Sequence, residues 1–248
     1  MNIIVCMKQV PDSETRVKIG ADGKSVDLSA ANFVVNPYDE FAIEEGIRLK
    51  EKFGGEVTIL TLGTDRAEND IRKGLAMGAD KAILLKADAF DGDVAHALAE
   101  EIKTGAYDLV LFGKQAIDED SSVMPQMIAE KLNLPCVTVV TKLDVQAETK
   151  AITCEREIEG GKEIVELSYP AVIGTQKGIN EPRLPNLKGI MAAKKKTIDK
   201  KDPAKAPAMT EIVAIELPPA RPAGKIVGKG ADAVPELLRL LHEEAKVI

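Results

Sequence analysis

Apolar residues along this chain fall into short continuous runs, and amphipathic stretches separate them. "IIVCMKQV" is an apolar run of strand length near the start, the pattern of a strand buried on both faces. The polar excursion "SETRVKIGADGKSVDL" follows, with a turn at Asp22-Gly23. "NPYDEFAIEEGIRLKEKFG" then sets Ala42, Ile43, Ile47, Leu49 and Phe53 on one helical stripe. Asn36 is its expected cap, Pro37 suits its first turn, acids lie near its start, and Gly54-Gly55 closes it. "EVTILTLG", "KAILLKA" and "YDLVLFG" predict three further buried strands, with "RAENDIRKGLAMGAD" and "GDVAHALAEEIKTGA" as helices between them. "LVLFGKQAIDEDSSVMPQMIAEKL" runs from the last of these strands through an acidic loop into another helix. That helix is expected to start near Ser121 or Ser122, because Pro125 fits only a first turn.

Strands alternating with helices predict an α/β protein: a Rossmann-like, doubly wound, mostly parallel sheet with helices on both faces. After Pro135 the texture changes. "CVTVVTKLDVQAETKAITCEREIEGGKEIVELSYPAVIGTQ" alternates apolar and polar positions and holds a Gly160-Gly161 turn, which predicts a hairpin-like β extension. "TQKGINEPRLPNLKGIMAAKKK" carries little helix or strand pattern, but it offers Leu184, Leu187 and Ile190 to solvent. It reads either as an ordinary surface loop or as a docking loop. From Ala192 the chain is charged and Pro-rich, a linker composition, and it ends in the short amphipathic stretch "AVPELLRLLHEEAKVI". The expected division is therefore a domain over residues 1–191 and an extended arm over 192–248.

Composition narrows the function. The 248 residues are 45% hydrophobic but only 3% aromatic, without Trp, so the core must be aliphatic. The net charge of −7 gives no whole-chain attraction to nucleic acid or to an anionic membrane. No apolar run reaches the roughly 18 to 20 residues of a membrane span, and no leader pattern opens the chain, so a soluble cytoplasmic protein without membrane insertion is expected. Cys6, Cys136 and Cys154 form no C-x-x-C pair, which argues against disulfide, zinc and iron–sulfur frameworks. His96 and His242 fall on expected helix surfaces, away from any nucleophile turn. Asp118, Glu119 and Asp120 read as a solvated loop rather than a metal cluster. No catalytic residue and no metal ligand are expected. The loops "CMKQV", "TLGTD" and "GKQAIDEDSS" remain. All three follow strands, and ligands of open α/β sheets bind beyond the carboxyl ends of strands.

Taken in order, "VCMKQVPD", "NPYDEFAIEEGIRLKE", "RKGLAMGADKA", "GKQAIDEDSS", "EREIEGG" and "NEPRLPNLKGIMAAKKK" resemble the β subunit of electron transfer flavoprotein, over essentially the whole chain. The resemblance implies a fold of the adenine nucleotide alpha hydrolase-like type. It also implies an electron-carrier subunit, not an enzyme, that pairs with an α subunit bearing FAD. The β subunit of an ordinary member holds AMP as a structural ligand, whereas electron-bifurcating, NADH-using members hold a second FAD there. By position, Cys6, Asn36, Leu62 and Glu119 would line the adenosine. The backbone of Ser121, Ser122, Val123 and Met124 would meet the phosphate, and Tyr38 would approach the partner's flavin. Glu157 would gate the mobile flavin domain. Arg183, Leu184, Leu187, Ile190 and Met191 would form the recognition loop, residues 183–191, with Leu187 as anchor. The arm would pack on the α subunit.

Acyl-CoA dehydrogenases of fatty acid oxidation would donate electrons, and a quinone oxidoreductase would accept them. The loop departs from the family pattern. Ser122-Val123-Met124 stands where ordinary members have a polar Asn-Gln-Thr run. Glu119 stands where bifurcating members have Gly, and its bulk and charge favour AMP over a diphosphate. A free-standing regulator of the universal-stress type is the reading from another class, and the docking loop and arm argue against it.

Overall fold

The computed structural model describes residues 1–88, 90–221 and 223–248. Its contacts divide the chain into two units, Met1–Lys18 with Val26–Val213, and Ile19–Ser25 with Ala214–Ile248.

The first unit is built on a nine-stranded sheet. Its N-terminal half runs β1 (Asn2–Cys6), α1 (Pro37–Phe53), β4 (Glu56–Gly63), α2 (Glu68–Met77), β5 (Lys81–Lys86), α3 (Val94–Lys103), β6 (Leu109–Gly113) and α4 (Met124–Leu132). Between β1 and α1 a separate antiparallel ribbon joins β2 (Gln9–Pro11) to β3 (Phe33–Val35). The sheet continues with β7 (Cys136–Gln146), β8 (Ala151–Ile158), β9 (Gly161–Ser168) and β10 (Ala171–Thr175). After the short helix α5 (Leu187–Ala193), β11 (Ile198–Lys201) completes it. The order across the sheet is β11-β5-β4-β1-β6-β10-β7-β8-β9. Every pairing from β11 to β7 is parallel, and β7-β8-β9 form the antiparallel extension. The chain winds outward from β1 in both directions, which is the Rossmann-like doubly wound plan.

Alternation along the strands shows why both faces must be covered. Ile3, Val5, Ile59, Leu109 and Leu111 pack under α1 and α2 with Ile43, Ile47, Ile71 and Leu75. Ile4, Leu60, Val110 and Phe112 point the other way and pack under α3 and α4 with Leu98, Ile102 and Ile128. Fully burying each such side chain contributes roughly 1.5 to 3 kcal/mol, and these two aliphatic layers hold the crossovers on the sheet.

Four local expectations are corrected. "IIVCMKQV" is not one strand: β1 ends at Cys6, and Gln9–Pro11 leaves the sheet for the ribbon. The helix after the acidic loop starts at Met124, not at Ser121 or Ser122, and its capping residue Val123 offers no side-chain bond. Residues 187–193 are helical. Asn186 caps α5 by accepting the Gly189 N–H at 2.8 Å, and the Arg72 guanidinium holds the Ala193 carbonyl at 2.9 Å. A Cβ on Gly189 would lie 2.3 Å from the Ala76 carbonyl oxygen, so only glycine lets α5 approach α2 this closely. Finally, the start of the expected arm contributes a strand, because Ile198–Lys201 pairs with Ala82–Leu85 at the edge of the sheet.

The second unit carries α6 (Val234–Leu240), whose Arg239 pairs with Glu236 at 2.8 Å and with Glu243 at 2.7 Å. Its Gly23 carbonyl accepts the Ile215 N–H. Ile226, Leu238, Val247 and Ile248 are exposed. No helix among the described residues is long and apolar enough to cross a membrane.

Candidate functional site

A cavity of about 420 Å³ opens at the carboxyl ends of β1 and β6. The two strands are neighbours in the sheet, yet the chain leaves them in opposite directions. This is the switch point where open α/β sheets bind ligands. Its inner wall is apolar, with Leu60, Leu62, Leu98 and Phe112. The outer wall is the loop between β6 and α4.

Eight of the residues singled out from the sequence line this one cavity: Cys6 and Leu62 on strands, Asn36 before α1, Glu119, Ser121, Ser122 and Val123 on the loop, and Met124 at the start of α4. Tyr38 is not among its lining residues. Its ring lies instead under the Lys114 ammonium, 5.2 Å from the ring centroid, and its carbonyl accepts from the Thr175 hydroxyl.

The loop has the backbone of an anion cradle. Asp120 and Ser122 take positive φ, at 50° and 54°, a conformation that most L-residues avoid. Val123 follows in the right-handed region. Left-handed and right-handed residues in succession curl their N–H groups into a concavity. The N–H groups of Ser121, Ser122, Val123 and Met124 meet no acceptor among the described residues, and α4 adds the positive end of its dipole. Side-chain bonds fix the loop. The Ser122 hydroxyl donates to the Lys114 carbonyl at 3.0 Å, the Gln115 amide donates to Asp120 at 2.6 Å, and Lys8 pairs with Asp118 at 2.7 Å. Lys8 and Lys114 both line the cavity and bring positive charge to it.

Asn36 precedes α1 but makes no side-chain cap bond. Its amide donates to the Gln115 carbonyl at 2.8 Å and accepts the Ile117 N–H at 3.3 Å. The expected local cap is thus a long-range clamp on the site loop. Sequence reasoning did not single out Asp39. It reads as one more acid in a first turn, where it would favour the helix dipole, but it is 5% exposed and lines the cavity. Burial pushes its carboxyl up to about 7, against the pull of the Lys8 and Gly113 N–H groups, the Asn36 amide and the Lys8 charge. Burial, with Asp39 nearby, also pushes the Cys6 thiol well up, so Cys6 offers a small apolar surface and no thiolate.

The other singled-out residues lie away from the cavity. Glu157, near the end of β8, is exposed and accepts the Gln176 amide at 3.3 Å. Leu184, Leu187, Ile190 and Met191 are exposed, at 91%, 76%, 43% and 58%. Three of them sit on α5 at helical spacing and form one apolar stripe. Arg183 differs from them. Its guanidinium grips Glu44 at 2.8 and 3.1 Å and Glu51 at 2.6 and 2.9 Å. Arg48 also pairs with Glu44, and the Asn180 amide donates to Glu45. Arg183 therefore fastens the loop to α1, a role that neither spacing nor composition indicated. No group of three or more His, Cys, Asp or Glu that could hold a metal occurs among the described residues.

A doubly wound sheet with an open cavity at its switch point defines an α/β protein of the Rossmann-like plan. The family model of the electron transfer flavoprotein domain matches residues 25–206. The chain is 40% identical to the electron transfer flavoprotein subunit beta of Bacillus subtilis, over the whole of both chains. It is 39% identical to that of Bradyrhizobium diazoefficiens, again over the whole of both. With the subunit beta of Syntrophomonas wolfei it shares 44% identity over 90% of this chain and 88% of the other. The chain belongs to the electron transfer flavoprotein family, among its beta subunits.

Proposed function

We propose that this chain is the β subunit of a heterodimeric electron carrier and that its cavity holds AMP as a structural ligand. The observation that carries the AMP reading is the row of unpartnered N–H groups from Ser121 to Met124 on the cavity wall. Such a row suits one phosphate at the start of α4, and the apolar wall of Leu60, Leu62 and Phe112 suits a purine. Lys8 and Lys114 supply charge for the phosphate. Glu119 stands on the loop beyond it and disfavours the continuing diphosphate of FAD. AMP takes no part in redox chemistry; it fills the switch point and fixes the loop.

The partner α subunit carries the FAD, which supplies the electron transfer. This chain's part is to shape one side of the flavin's surroundings through Tyr38 and to steady the mobile flavin domain through Glu157. It also presents α5 to the donor. Electrons pass from acyl-CoA dehydrogenases to a quinone oxidoreductase. The exposed stripe of Leu187, Ile190 and Met191 supports docking by apolar anchors. The reading is tested by purifying the chain with its α subunit and mixing the complex with an acyl-CoA dehydrogenase, its substrate and a quinone-linked acceptor. Transfer is expected only with the complete complex. Transfer that needs NADH instead, with no response to acyl-CoA, contradicts the reading and favours bifurcation.

A further inference from the structure

Strands β1 and β6 pair through Val5 and Leu111 and then part. The end of β1 stays with β4, since Cys6 pairs with Leu60 and the Met7 N–H donates to the Leu60 carbonyl. The end of β6 follows β10, with Gly113 opposite Thr175 and the Lys114 N–H on the Thr175 carbonyl. The cavity lies where they separate, and Asp39 spans the gap. One of its carboxylate oxygens accepts the Lys8 N–H at 2.8 Å, and the other accepts the Gly113 N–H at 2.9 Å. The backbone allows this only because residue 113 is glycine. A Cβ there would lie 2.5 Å from the Tyr38 carbonyl carbon and 2.6 Å from the Asp39 oxygen.

A carboxylate buried this deeply opposes folding unless bonds compensate it. An aliphatic side chain would pack without that cost, yet it could not hold two strand ends at a fixed separation. We propose that Asp39 is a positioning residue of the nucleotide pocket: by tying the diverging ends of β1 and β6 together, it sets the width of the crevice that admits the nucleoside. The inference rests on the reading of this cavity as an adenine-nucleotide site.

Both oxygens accept N–H groups, so protonation of Asp39 weakens the tie. The charged and titratable groups around it are Cys6 at the end of β1, Lys8 after it, and Lys114, Asp118 and Glu119 after β6. Tyr38 and Glu40 flank it on α1. Burial holds the Cys6 thiol well up, and Lys8 is paired with Asp118.

The test titrates the nucleotide-depleted complex with AMP and with adenosine, which has no phosphate to titrate, at several pH values. Asp39→Asn accepts only one of the two N–H groups. It is expected to weaken both ligands at least tenfold near pH 8, and Gly113→Ala, which pushes the carboxylate aside, is expected to do the same. Adenosine affinity of the native complex should fall as pH drops from about 8 to 6, and Asp39→Asn should remove that slope. Equal affinities and equal slopes in the native and Asn forms overturn the inference and leave the site reading intact. A flat adenosine profile in the native complex overturns it even if neither variant folds. If the native complex binds neither AMP nor adenosine, the site reading falls and the inference falls with it.

Discussion

Asp39 sets burial against ionisation within one side chain. Its carboxyl stands at about 7, above the ordinary 3.8, because burial outweighs the N–H groups that grip it. The folded chain therefore keeps a proton that the unfolded chain has already released between these values. The stabilisation linked to this group is complete below pH 3.8 and is lost as pH rises through about 7, amounting to a few kcal/mol at most. The melting temperature of the native protein should accordingly fall relative to that of Asp39→Asn between about pH 5 and pH 8. Parallel curves would contradict the burial account. Leu187 is the opposite kind of residue. It is 76% exposed and leaves little packing to lose. Leu187→Ala should leave the melting temperature within about a degree while electron transfer from the dehydrogenase falls at least tenfold, as removal of a buried anchor worth roughly 1.5 to 3 kcal/mol requires. A clear loss of stability with normal transfer would place Leu187 in the fold instead. Single residues were also where the sequence was hardest to read. Asn36 and Asp39 sit where caps and first-turn acids belong, and their true partners, 79 and 74 positions away, come together only in the folded sheet.

At the scale of elements, long apolar runs were legible because both faces of a parallel sheet are covered and period-2 alternation disappears. β4, β5 and β6 lie within the runs that announced them. β11 was not legible. "IDKK" carries charges that an edge strand can keep in solvent: Lys200 pairs with Asp65 at 2.8 Å, and Lys201 with Glu101 at 2.6 Å. α5 was missed because a seven-residue helix with an exposed stripe has too little pattern to declare itself. The loop that leads into that stripe is clamped to α1 by Arg183. Burial alone raises the Glu44 carboxyl, but bonds from Arg183 and Arg48 outweigh it and hold it below its ordinary 4.5. The clamp therefore stabilises fully above pH 4.5 and weakens as pH falls through the lower folded value. Arg183→Ala leaves Glu44, which is 2% exposed, with Arg48 and the backbone N–H of residue 183. It should cost about 1 to 3 kcal/mol at neutral pH, and the deficit should shrink as pH falls well below 4.5. Urea unfolding at the two pH values measures this, and a deficit independent of pH would remove the ion pair as its cause. At the end of β8, exchange of the long Gln176 bond of exposed Glu157 for a weak pair with a cation of the flavin domain, contributing about 0 to 1 kcal/mol, is the expected gate. Glu157→Ala should change transfer rates and leave FAD content intact, and unchanged rates with several dehydrogenases would end the gating role.

The whole molecule assigns different work to its parts. The sheet holds the switch point, and α1 joins the cavity at its first turn to the Arg183 loop along its length. An arm beginning at residue 192 was suggested by composition, but a cut there would also remove β11, whose four residues pair with β5. The informative cut falls after Val213, where the first unit ends. A chain ending there should keep the sheet's melting behaviour and yet copurify poorly with the α subunit, and normal yield of the complex would give the tail another purpose. The central claim is the identity of the ligand at the switch point. It is tested most directly by denaturing the purified heterodimer and quantifying the released nucleotides by chromatography. One AMP and one FAD per heterodimer is the expected result; two FAD and no AMP would contradict it.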